Sequence, residues 1–110
     1  MAVTKYHNIT GSSGINVTLL SPGDGADGIK SVVIANTHAT ADATVSLFLQ
    51  DNPSSSSPST FYIFKTVAIP SDTSMILDDK GVLSFDNTTN GYGLYMTVGS
   101  SDTLDVLINL

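Results

Sequence analysis

The strongest constraint on this chain is a hydrophobic period of two. In INVTLLS, Ile15, Val17 and Leu19 fall on one side and Asn16 and Thr18 on the other. Val32 and Ile34 share a face in KSVVIANT, and Val45, Leu47 and Leu49 alternate with Thr44, Ser46, Phe48 and Gln50. TFYIFKTVAI sets Phe61, Ile63, Val67 and Ile69 against Tyr62, Phe64, Thr66 and Ala68. Leu94, Met96 and Val98 alternate with Tyr95 and Thr97, and Leu104, Val106, Ile108 and Leu110 with Asp105 and Asn109. Side chains alternate across a strand but wind around a helix, so this pattern predicts half-buried strands. Shorter strands are predicted at VTKYHNI, SMIL and VLSF, and no window carries a helical stripe of useful length.

Between the runs lie TGSSG, SPGDGADG, NTHATAD, DNPSSSSPST, IPSD, DDKG, NTTNGYG and GSSD, clusters of the residues that turns require. All ten acids are Asp and all four bases Lys, so the helix formers Glu and Arg are missing. These signals predict an all-β chain: a single antiparallel β-sandwich of jelly-roll type with about eight strands.

The run DNPSSSSPST raises the question of a linker. Cutting the 110 residues there leaves two cysteine-free halves of about 55 residues, too small for secure separate cores. A single domain over residues 1–110 is expected, with ATVSLFLQ and TFYIFKTVAI paired as a hairpin and the serine run as its tip. Pro53 and Pro58 cannot donate to a ladder, so pairing stops between them.

A net charge of −6 without Arg argues against nucleic-acid binding, which needs a basic face. MAVTKYHNIT has no apolar leader core, so no export signal is expected; no membrane span is expected either, since no run nears the roughly 20 apolar residues one requires. The absence of Cys excludes a disulfide scaffold and a thiol nucleophile. Sequons at Asn8, Asn16 and Asn87 read as chance matches in a Ser/Thr/Asn-rich chain.

Candidate chemistry is sparse. Asp24 and Asp27 in PGDGADG offer two carboxylates that a Ca²⁺ ion accepts, yet Gly and Asp are also what a tight turn demands. Asp78-Asp79-Lys80-Gly81 has the same two readings. His7 and His38 are the only histidines, and no nucleophile-elbow motif accompanies the serines. The chain reads as non-enzymatic, with no cofactor.

More informative are aromatics on the polar side of the alternation. With Val45, Leu47 and Leu49 inward, Phe48 points outward; Tyr62, Phe64, Tyr95 and Leu107 are placed likewise. Phe48, Tyr62, Phe64 and Tyr95 therefore form a candidate interface with another subunit. The alternatives are a cover supplied by a loop or the N-terminal arm, and a bulge at Lys65 that reverses the register.

Four segments together resemble small structural proteins from virions of tailed bacteriophages, cyanophages in particular. They are KSVVIANT, TVSLFLQD, FYIFKTVAIPSDTSMILDD and GYGLYMTVGSSDTLDVLINL, about three quarters of the chain. The resemblance implies a β-sandwich in the virion, made in the host cytoplasm. It implies a capsid decoration (cement) protein or a neck or tail component, partnered with itself, often as a homotrimer, and with the major capsid or another virion protein. A receptor- or carbohydrate-binding module of a tail fibre, using Tyr92 and Tyr95 beside Asn90, is the alternative.

Overall fold

A computed structural model describes residues 5–10, 16–26, 28–51, 59–99 and 102–110. The elements are β1 (Lys5–Thr10), β2 (Asn16–Leu20), β3 (Ser31–Asn36), β4 (Ala43–Gln50), β5 (Thr60–Ile69), β6 (Ser74–Leu77), α1 (Lys80–Leu83), β7 (Gly93–Val98) and β8 (Thr103–Asn109). Sheet A has the order β1-β8-β3-β6 and sheet B the order β2-β7-β4-β5, all pairs antiparallel.

These orders follow from one folded ribbon. β1 pairs with β8, β2 with β7, β3 with β6 and β4 with β5, a nested set of hairpins centred on the β4–β5 connection. Wrapping that ribbon adds the pairs β3–β8 and β4–β7, which close each half into a four-stranded sheet. This is the jelly-roll wrap that the alternation and turn spacing predicted. ATVSLFLQ and TFYIFKTVAI form the central hairpin, with Asp51 N–H donating to Ser59 O (3.2 Å) and Ser59 N–H to Asp51 Oδ1 (2.8 Å) at its neck. The tip, residues 52–58, lies outside the described residues, as do Gly11 to Ile15 and Asp27.

The two inner faces share one core. Ile9, Val32, Ile34, Leu104, Val106 and Ile108 of sheet A meet Leu20, Val45, Leu47, Leu94, Met96 and Val98 of sheet B, all buried. Burying each such aliphatic side chain is worth about 1.5–3 kcal/mol, and their period-two spacing explains why these segments are strands rather than helices.

Three local departures correct the period-two reading. VLSF is no strand: Asp79 caps α1, its Oδ1 accepting the Gly81 N–H (2.9 Å) and Val82 N–H (3.3 Å), and Leu83 is buried from that turn. A register shift between Thr18 and Leu20 lets Leu19 and Leu20 both enter the core. In β5, Val67 faces Val45 but Phe64 faces Leu47, so Lys65 and Thr66 together oppose Ser46 alone. Thr66 takes the left-handed conformation (φ 55°), and its N–H donates to Ser46 Oγ at 2.8 Å.

Candidate interaction face

The register places Thr18, Tyr95, Phe48 and Tyr62 in one row across the outer face of sheet B. Phe48 stands in the middle on β4. Its ring stacks on Tyr95 at 6.0 Å between centroids and tilts against Tyr62 at 5.2 Å. The Lys65 ammonium lies 5.2 Å from the Tyr62 ring centre, a cation–π contact at the outer end of the row. Phe48, Tyr62 and Tyr95 thus come together on the outward side, as the alternation predicted.

Their exposure differs from that expectation. Phe48 and Tyr95 are only 2% and 3% exposed, while Tyr62 is 50% exposed. Ser46 and Gln50, the outward neighbours of Phe48 on β4, are also buried. Gln50 Nε2 donates to Thr60 Oγ1 (2.8 Å), tying β4 to β5 on the same side. The centre of this face is therefore covered within the chain.

Phe64 is a correction. Simple alternation places it outward, but the bulge at Lys65–Thr66, the alternative that Lys65 raises in the sequence, turns it to face Leu47, where it packs against the core. A second shift sets Tyr62 against Phe48, so Ile63 also packs on the core.

Tyr95 is accommodated by Gly93, two residues earlier on the same side. A Cβ at Gly93 would sit 2.7 Å from Tyr95 Oη and 2.5 Å from the Leu20 carbonyl oxygen. Burial, with the Asp24 carboxylate adding to it, raises the Tyr95 phenol above its ordinary range.

The loop side chains are engaged in shaping their own turns. Asp24 Oδ2 accepts the Ser21 N–H (2.9 Å). Asn87, fully buried, accepts the Ala26 N–H through Oδ1 (2.9 Å), and its Nδ2 donates to Ser21 O (3.0 Å) and Tyr92 O (2.8 Å). The PGDGADG turn is thereby pinned to the loop before β7. Asp27, the other candidate Ca²⁺ ligand, lies outside the described residues, and among those described no cluster of three metal-type ligands forms. The Thr88 hydroxyl and N–H hold the exposed Asp86 carboxyl below its usual range.

The histidines stand apart from each other. His38 Nδ1 accepts the Thr40 N–H (3.1 Å) and the Ala41 N–H (3.0 Å) in the turn after β3. His7 faces Val106 on the inner side of β1, its Nε2 buried with no hydrogen-bond partner among the described residues. Tyr92 and Tyr95 form no common platform: Tyr92 meets Phe61 edge-on at 5.8 Å, and Tyr95 lies buried beside Phe48.

Sheet A carries a second row that single-strand reading did not assemble. Tyr6 faces Leu107, Leu107 faces Val33, and Val33 faces Ile76, crossing all four strands on the outer side. Tyr6 is 73% and Ile76 64% exposed, with Leu107 and Val33 half-buried between them. Polar rows flank it: Asn8 Nδ2 donates to Asp105 Oδ1 (2.6 Å) on one side, and Asn109 Nδ2 to Ser31 Oγ (2.7 Å) on the other. The alternation of β8 identifies only Leu107 as outward; the row needs the register of three pairings.

No family model, curated protein or solved structure gives a significant match to this chain.

Proposed function

We propose that this chain is a non-enzymatic structural protein of tailed-bacteriophage particles, acting as a capsid decoration (cement) protein that binds the outer shell as a symmetric homo-oligomer. One observation carries the reading. Asp24, Asp79 and Asn87 use their side chains to hold turns and loops, while several large apolar side chains stay exposed: Tyr6 and Ile76 on one sheet face, Tyr62 on the other, and Phe61. Flat apolar faces on a rigid sandwich suit surface-to-surface assembly better than small-molecule chemistry. The segments that resemble virion proteins are β3, β4, β5–β6 and β7–β8, which include the strands bearing Phe48, Tyr62 and Tyr95. Tyr62 is the residue of that row open to a partner, and a chain of net charge −6 calls for a basic patch on the shell.

Quantitative mass spectrometry of purified particles tests this. Hundreds of copies per particle are expected for shell decoration. A dozen or fewer would move the chain to the neck or tail, and its absence from particles would end the reading. The Phe61–Tyr92 pair favours a second reading, a carbohydrate-binding module: Phe61 is 57% exposed and Asn90 is an exposed neighbour of Tyr92 in sequence. Binding on a glycan array that is lost in Phe61→Ala would support it, and a blank array would remove it.

A further inference from the structure

We infer that the outer face of sheet A is a self-association surface, on which a second copy of this chain stacks face to face about a two-fold axis parallel to the strands. The inference deepens the assembly reading, and rests on it only for the premise that the chain associates with itself.

Three observations carry it. The first is the anatomy of the face. An apolar row, Tyr6–Leu107–Val33–Ile76, spans all four strands, and polar pairs that already satisfy one another border it. An apolar centre inside a hydrogen-bonded polar rim is the anatomy of a protein interface.

The second is self-complementarity. An axis along the strands lays β1 over the partner's β6 and β8 over its β3. Tyr6 then meets Ile76 and Leu107 meets Val33, so each contact joins a larger side chain to a smaller one and the layer has even thickness. The alternative axis, across the strands, would stack Tyr6 on Tyr6 and Ile76 on Ile76, wedging the sheets apart at one edge.

The third is charge. The chain has net charge −6, yet among the described acids only Asp105 lies within a strand; the others sit in loops. Asp105 is held by Asn8, and the same axis sets it over the partner's Ala35 rather than over a second Asp105. This is a face on which two acidic copies can approach. A four-stranded face is roughly 20 Å on a side. Pairing two of them covers roughly 400 Å² on each copy, about 800 Å² in all, the size of a weak, concentration-dependent association.

Sedimentation velocity on the isolated chain over a range of concentrations tests the inference. The native chain is expected to reach a two-chain mass. Ile76→Asp is expected to weaken pairing at least about 100-fold, because each substitution enters a two-fold interface twice. Its far-UV spectrum and melting transition when dilute should be unchanged, since Ile76 is exposed on an edge strand. Tyr6→Ser provides the same test should Ile76→Asp fail to fold, and Tyr62→Ser on the opposite face should leave pairing intact. A native chain of single mass, a three-chain mass, pairing that survives both sheet A variants, or pairing lost in Tyr62→Ser alone would overturn the inference. A three-chain mass is what the virion resemblance implies, so the two expectations separate cleanly. None of these outcomes depends on whether the chain is found in particles, which the mass spectrometry decides independently.

Discussion

Each outer face of this sandwich carries a row of large apolar side chains across its strands, and the two rows end in opposite states. Across sheet B, Tyr95, Phe48 and Tyr62 lean on one another until Phe48 and Tyr95 are buried. Across sheet A, Tyr6, Leu107, Val33 and Ile76 occupy equivalent positions and stay open at both ends. The difference lies in reach and in the neighbours. Aromatic rings extend to the next strand, and the missing side chain at Gly93 leaves room for Tyr95. Leu107 and Val33 are too short to cover each other. Apolar character on an outward face is thus no measure of exposure: in sheet B the centre of the row is buried by its own neighbours, whereas in sheet A the row is open at Tyr6 and Ile76 and only half-buried between them.

The sharpest way to break this contrast is to remove the centre of the closed row. Phe48→Ala deletes a buried ring flanked by Tyr62 and Tyr95, and should destabilise the isolated chain by about 3 kcal/mol in urea unfolding. A loss below about 1 kcal/mol would mean that the ring is as open as Ile76. Gly93→Ala should follow at about 2 kcal/mol. Its new Cβ meets the Leu20 carbonyl oxygen, a backbone atom that moves only with its strand.

Tyr95 separates the faces by titration. Burial and the Asp24 carboxylate raise its phenol, so the folded state favours the protonated form. That stabilisation is complete below the unfolded tyrosine range near 10 and is lost as pH rises through the higher folded value. In absorbance titrations Tyr95 should give a late ionisation step above the ordinary tyrosine range. Tyr95→Phe should remove that late step and flatten the alkaline loss of stability. If no tyrosine ionises late, the closed row admits water.

Which parts of this were legible in the sequence follows from the range of each interaction. Alternation is local and survives in Val32/Ile34, Val45/Leu47 and Leu104/Val106/Ile108, so the sandwich and its core could be read directly. The hairpin around the serine run could be read because its strands are neighbours. The fate of Phe64 was legible only as one of two readings: Lys65 within the apolar run raises a bulge as the alternative to simple alternation. Thr66 is not the glycine that a left-handed position would advertise, so no local cue decides between them. VLSF alternates like a strand, but Asp79 upstream caps a helical turn that takes Leu83 inward. The burial of Phe48 and Tyr95, and the row from Tyr6 to Ile76, depend on register between strands far apart in the chain, which no single segment contains.

The bulge itself is a smaller test. Thr66→Gly relieves a β-branched residue from the left-handed region and should stabilise the chain by about 0.5–1 kcal/mol, if the bulge persists. Destabilisation beyond about 1 kcal/mol would indicate that the threonine side chain, rather than the Ser46 bond to its N–H, fixes the turn that sends Phe64 inward.

The smallest effect is expected on the open row. Ile76→Thr, measured dilute enough to keep chains apart, removes apolar atoms that are already in water, and β6 keeps Met75 and Leu77 against the core. Its unfolding free energy should therefore stay within about 0.5 kcal/mol of the native chain. The same substitution at concentrations where two copies meet should lower the melting temperature more, because pairing stabilises the folded state by mass action and Ile76 contributes to the pair. A cost that did not change with concentration would assign Ile76 to the fold of one chain and make the two faces alike; a cost that grows with it sets them apart.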